Sequence, residues 1–141
     1  MVIRYIVIVL LALSPIAMIN SNSQGYFTQS TALQESISRG KMVYSDFCIV
    51  CHLANGEGVK GIYPPLANSD YLKNKRIESI KSVKYGMQGE ITVNGKVYNS
   101  VMAPMGLTDQ EIADVMNYIT TSWGNTNAKA FTENEVSKVQ P

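Results

Sequence analysis

The chain has 141 residues, 45% of them hydrophobic, with twelve Lys and Arg against eleven Asp and Glu and a formal charge of +1. That length supports one small domain plus a targeting segment, and the near-neutral balance argues against nucleic acid as a partner. Two cysteines and a single histidine restrict any metal chemistry to a very small set of ligands.

Residues 1–20 read as a signal peptide or an N-terminal membrane anchor. Arg4 supplies the positive charge, and Tyr5 to Ile19 is an apolar run broken only by Ser14-Pro15, short for a span of ~20 residues. Ala17-Met18-Ile19-Asn20-Ser21 offers no clean A-x-A cleavage site, so removal and retention are both open, with removal favoured. Either fate puts the domain in the periplasm or on the outer face of the cytoplasmic membrane. Residues 21–30 are small and polar, as expected of a linker.

One folded domain is expected over 31–125. Thr31-Ala-Leu-Gln34 has the form of a capping box and opens a helical pattern with Leu33, Ile37, Met42 and Tyr44 inward, running to about Asp46. Gly40 inside it costs about 1 kcal/mol relative to alanine, which predicts a close approach by another element.

Cys48-Ile-Val-Cys51-His52 follows at once. This spacing lets two cysteine sulfurs bond the vinyl groups of one haem while the next imidazole ligates its iron. The competing readings are weaker. A disulfide between Cys48 and Cys51 would staple little chain, a thioredoxin-like pair lacks its βαβ context, and a zinc site lacks a fourth ligand nearby.

Residues 54–68 are rich in Gly and Pro and predict an ordered loop that wraps something. A short turn at Ser69-Asp70-Tyr71-Leu72 and a helix from about Lys75 come next, with Ile77, Ile80 and Val83 inward and Gly86 as its stop. Lys73, Lys75, Arg76, Lys81 and Lys84 give this helix a positive side, for which a solvated face is the default reading and a docking patch the alternative. Ile91 to Tyr98 alternates about Asn94-Gly95, a hairpin signal. Thr108-Asp-Gln-Glu111 is a second capping box, leading a helix with Ile112, Val115, Met116, Tyr118 and Ile119 inward and closed by Gly124. Residues 126–141 form a polar tail in which Thr132 to Glu135 repeats the capping signal ahead of Val136 and Val139, predicting one short docked helix.

What the haem would do depends on its second axial position. Met42 and Met116 read as core filler, and Met87, which follows a helix end, stays open as a ligand without any feature that favours it. Val101-Met102-Ala103-Pro104-Met105 lies in irregular structure and can present a side chain to iron.

Over about 31–124 the chain resembles the class I c-type cytochromes, and especially a bacterial monohaem group with the pattern Y-N-x-x-M-P…L-(S/T)-D-x-E-I-A…Y-I…S-W-G-N. Here that is Tyr98-Asn99-Ser100-Val101-Met102, Leu107-Thr108-Asp109-Gln110-Glu111-Ile112-Ala113, Tyr118-Ile119 and Ser122-Trp123-Gly124-Asn125. The resemblance implies an all-α fold of about three main helices around one covalent haem c, with the hairpin near the methionine loop. It implies His52 and Met102 as iron ligands, Met105 standing as rival because Ala103 separates Met102 from Pro104. It also implies that the Pro64 carbonyl accepts from the His52 ring, with Pro65 as fallback, that Leu66 packs on the haem edge, and that Gly40 and Tyr44 cross Val115 and Tyr118.

The function so implied is single-electron transfer by Fe(III)/Fe(II) cycling, with redox proteins as donor and acceptor and no catalytic residue. The alternatives are an electron-transfer subunit of a larger dehydrogenase, nitrite reductase or oxidase, and an open-site haem enzyme or gas sensor.

Overall fold

The computed structural model describes residues 23–127 and 129–141. The segment read as an export signal or anchor, 1–20, lies outside the described residues. Among the described residues no helix is long and apolar enough to cross a membrane.

Helix α1 (Ser23–Phe47) crosses α5 (Asp109–Ile119) in the most extensive packing of the molecule. Gly40 makes that crossing possible, since a Cβ there would run into the Asp114 carbonyl and lie 2.9 Å from the Val115 nitrogen. Two rings, Tyr44 and Tyr118, meet beside it at 5.5 Å, and Trp123 closes the cluster at 5.0 and 5.3 Å.

The inner stripe of α1 differs from the expected one. Ser36, Gly40 and Tyr44 are buried, at a spacing of four, whereas Met42 is 61% exposed and fills no core. Small and polar residues carry the contact, so the apolar pattern pointed about one residue off it. α1 also starts at Ser23, ahead of the Thr31 capping box and within the segment read as a linker.

Polar atoms stitch the same crossing. Asp114, 2% exposed, accepts from the Ser36 hydroxyl (2.6 Å), from Arg39 (2.7 and 2.9 Å) and from Gln110 (2.9 Å). Asn117, one turn on, donates to the Ser36 hydroxyl and to the Phe131 carbonyl, both at 2.9 Å, and accepts from the Phe131 N–H at 2.8 Å. Around these groups Ile112, Val115, Met116 and Ile119 form the core that the sequence predicts.

α5 starts on the predicted box, with Thr108 Oγ1 accepting from the Glu111 N–H and Glu111 accepting from the Thr108 N–H. It ends at Ile119, earlier than Gly124. Asn125 then turns the chain by donating to the carbonyls of Ile119 (2.7 Å) and Leu66 (2.6 Å).

The remaining elements are α2 (Ile49–His52), which was not foreseen, α3 (Asp70–Asn74), α4 (Arg76–Tyr85), β1 (Ile91–Val93), β2 (Lys96–Tyr98) and α6 (Glu133–Lys138). β1 and β2 pair antiparallel with Ile91 opposite Tyr98. Asn94 and Gly95 take positive φ (50° and 72°), as a two-residue hairpin turn requires. In α4, Ile80 is buried but Ile77 is 45% exposed and does not face inward.

The tail is docked as expected, with Val136 and Val139 buried. It takes two of the five cations from the proposed positive side of α4. Arg76 pairs with Glu135 at 2.7 Å and also donates to the carbonyls of Lys129 and Ala130; Lys84 pairs with Asp109 (2.8 Å) and donates to the Val136 carbonyl.

Candidate haem-attachment site

The C-x-x-C-H residues occupy one helical turn. Cys48 caps α2, and its carbonyl accepts from the N–H groups of Cys51 (3.2 Å) and His52 (2.9 Å). Separations of three and four residues place Cys48, Cys51 and His52 on one side of such a turn. Val50, between the cysteines, is 81% exposed. The two sulfurs are not bonded to each other. Tyr44 stiffens the approach from below, its buried hydroxyl donating to the Leu53 carbonyl at 2.6 Å while its own carbonyl accepts from the Cys48 N–H.

His52 turns its ring toward the Gly- and Pro-rich loop, where Nδ1 lies 3.0 Å from the Pro64 carbonyl oxygen. A carbonyl only accepts, so Nδ1 carries the proton and Nε2 is left with a free lone pair. Burial lowers the pKa of this ring, and the Pro64 contact opposes the shift only in part. The neutral imidazole is therefore favoured, which is the form that binds metal. Pro65 does not take the hydrogen bond.

The loop is fixed by its own backbone. Gly58 N–H donates to the His52 carbonyl, and the N–H groups of Leu66 and Ala67 both donate to Gly56. Gly56 has φ 65° and lies against the Trp123 ring, which leaves no room for a side chain.

A pocket partly open to solvent lies between these pieces. Cys48 and His52 line one part, Pro64, Pro65 and Leu66 the adjoining loop wall, Leu72 and Val83 the α3–α4 wall, Ile91 and Val93 the hairpin, and Val115, Met116 and Ile119 the floor. Ser79 and Ser82 also line it, yet each spends its hydroxyl on its own helix, on the carbonyls of Lys75 and Glu78 at 2.8 Å. Their carbons are what they show to the pocket.

The donor set is correspondingly small: one thiol, one imidazole nitrogen and methionine sulfur. Burial pushes the Cys48 thiol up to about 11, with Cys51 adding to the shift. Such walls suit a large apolar macrocycle held at a few points, and the residues present fit a haem.

Met102 and Met87 line the pocket together, joined by two backbone hydrogen bonds of 2.8 and 2.9 Å. Gly86 permits this pairing, because a Cβ on it would sit 2.9 Å from the Pro104 nitrogen, and its φ is 75°. Met105 is half-buried but is not part of the pocket wall, and neither is Cys51, also half-buried.

Sequence reasoning left Met87 open and did not single out Ile91, Val93 or the serines as pocket residues. The alternation of the hairpin was the available signal for Ile91 and Val93, since it puts both on one face.

Comparison with known proteins agrees with this geometry. The cytochrome c family model matches residues 37–123. Cytochrome c-552 of Thermus thermophilus is 40% identical over 110 residues, spanning 72% of this chain and 83% of that protein. The cytochrome c subunit of the quinone alcohol dehydrogenase of Gluconacetobacter polyoxogenes is 29% identical over 128 residues, 84% of this chain and 27% of the subunit. The cbb3-type cytochrome c oxidase subunit FixP of Bradyrhizobium diazoefficiens is 28% identical over 99 residues, 67% of this chain and 33% of the subunit.

Proposed function

Since the chain belongs to the cytochrome c family, we propose that it is an exported monohaem electron carrier in which Cys48 and Cys51 bond the haem and His52 and Met102 hold its iron. Bound haem c supplies an iron that takes up and gives back one electron between Fe(III) and Fe(II). The chain's own residues do the rest. Pro64 keeps Nε2 of His52 free to coordinate, and the apolar walls would hold water off a haem seated between them. Met102, a poor donor to the ferric ion, raises the potential. Leu66 and Val83 would cover part of the macrocycle, and Val50, between the two cysteines, would stand exposed beside the attachment turn.

The observation that carries this reading is the meeting of His52 and Met102 in one apolar pocket, with the His52 ring already turned by Pro64. Met102 is favoured over Met105 because only Met102 lines that pocket. Haem staining after denaturing electrophoresis tests the attachment, and a blank lane from protein matured with a cytochrome c assembly system overturns it. Met102→Ala tests the ligand. It should abolish the weak red-end absorbance of the ferric protein, lower the potential and admit carbon monoxide to the ferrous form, whereas Met105→Ala should alter packing only. Rapid carbon monoxide binding by the unaltered ferrous protein would instead favour an open-site haem enzyme.

Export rests on Arg4 and the apolar run to Ile19. Fractionation should find holoprotein outside the cytoplasm, and the mass of the mature chain distinguishes cleavage from a retained anchor. The haem domain is taken as 31–125, with 126–141 as its docked tail. Similarity to dehydrogenase and oxidase cytochrome subunits supports a second reading, in which this chain serves such an assembly. Co-purification from native membranes tests it.

A further inference from the structure

The hairpin excursion between α4 and α5 is closed at two points. At its neck Met87 and Met102 exchange both backbone hydrogen bonds. At its tip Asn94 and Asp70 do so as well, in a mixed form: the Asp70 N–H donates to Asn94 Oδ1 at 3.0 Å, and the Asn94 N–H donates to Asp70 Oδ1 at 2.7 Å. Among the described residues, 91–98 make no other hydrogen bond to the rest of the chain. Both closures bear on the pocket. Asp70 opens α3, whose Tyr71 and Leu72 line it, and β1 brings in Ile91 and Val93 from the facing side.

We propose that Asp70 and Asn94 are positioning residues for Met102, a latch that holds the hairpin tip against α3 and so keeps the methionine at the neck turned into the pocket. The proposal rests on the reading of Met102 as iron ligand. An isolated two-stranded hairpin is marginal in water, so where its tip lies depends on what it is tied to. With the tip free, the hydrogen bonds left to hold β2 to the body are those of the neck and that of the Ser100 hydroxyl, which donates to the Ile62 carbonyl at 2.6 Å, beside the packing of buried Val93 and Tyr98. Motion of the excursion then acts directly on the segment that carries Met102. Both tip bonds are exposed, so each is of ordinary rather than buried strength, and breaking the pair should raise the open population about tenfold, equivalent to 1.4 kcal/mol.

The test is imidazole binding to the ferric holoprotein by stopped flow, where the rate at saturating imidazole reads release of the methionine. Asp70→Ala removes one tip bond, and Asn94→Gly removes the other while keeping a residue suited to positive φ. The double variant should release methionine about tenfold faster than wild type, with accelerated amide exchange confined to residues 91–98. Asp70→Asn retains the acceptor oxygen without the charge and should restore the wild-type rate.

A double variant that folds and keeps the wild-type rate overturns the latch. So does an Asp70→Asn variant as fast as Asp70→Ala, which would assign the effect to charge at the start of α3. If the double variant does not fold, the Asp70→Ala and Asp70→Asn pair decides by the same criterion. Absence of the methionine absorbance from wild-type ferric protein overturns the ligand assignment and this proposal with it, and is distinguishable because it appears before any residue is changed.

Discussion

Two stripes of α5 are satisfied in opposite ways. Asp114 and Asn117 meet Ser36, Arg39 and Phe131 through hydrogen bonds of 2.6 to 2.9 Å, and no space remains between α1 and α5 at Gly40. Val115, Met116 and Ile119 face the pocket, whose lining is almost wholly apolar and whose far wall is a hairpin tied at two points. The crossing is complete with the chain alone. Apolar surface in the crevice contributes only when something covers it, at about 25 cal/mol per Å². Substitutions in the crossing should therefore change stability and leave the redox potential alone, whereas those in the pocket wall should change both.

Asp114→Ala should break the comparison on the stitched side most severely. It leaves the Ser36 hydroxyl without an acceptor and removes four hydrogen bonds, two of them from half-exposed Arg39, for an expected loss of about 3 kcal/mol and a fall in Tm of roughly 10 °C. The haem absorbance of the protein that remains folded should not change. Gly40→Ala comes next at about 2 kcal/mol, because the added methyl meets backbone that cannot swing aside and the gain in helix propensity recovers only part. Denaturant titration reads both.

Val93→Ala tests the other side. Val93 is 2% exposed in the pocket wall, and truncating it should cost about 1.5 kcal/mol while shifting the redox potential, a change that the Asp114 variant should not show. The smallest effect is expected at Glu135, whose carboxyl is held below the usual glutamate range mainly by its hydrogen bonds to Arg76. A carboxylate with a depressed folded pKa stabilises fully above its unfolded value of about 4.3 and loses that contribution as pH falls through the folded value. Wild type should therefore lose stability below about pH 4 more steeply than Glu135→Gln, and the variant should be weaker by about 1 kcal/mol at pH 7. Thermal melts across pH 3 to 7 check the sign.

Short-range chemistry was legible in the sequence. The Asn94-Gly95 hairpin and the Thr108 and Thr132 caps depend on residues within a few positions of one another, and each forms as its spacing predicts. Gly40 was legible as a cost that needed a reason. What escaped was which way polar residues face. Asp114 and Asn117 look like the wet side of an amphipathic helix until Ser36 and Phe131, 78 and 14 residues away, supply their partners. Met42 and Ile77 were misassigned for the converse reason, since an apolar residue next to the true stripe fits a helical period almost as well. At the site, the resemblance pointed to Pro64 and Met102. The pairing of Met102 with Met87 is a backbone contact that no side-chain pattern encodes.

Asn117 grips Phe131 as a neighbouring strand would, one carboxamide serving both the N–H and the carbonyl of a single residue. Beyond it the Phe131 ring lies 3.5 Å from the Arg76 guanidinium, and the Tyr85 hydroxyl holds the Val139 carbonyl at 2.8 Å. The chain's last residues are therefore moored at both ends of α4, the helix that carries Ser79 and Val83 into the pocket wall. Mechanically, Pro141 is the end of a lever. A load applied there reaches the crevice by way of α4, through the Tyr85 hydroxyl on Val139 and the Arg76 guanidinium on Phe131.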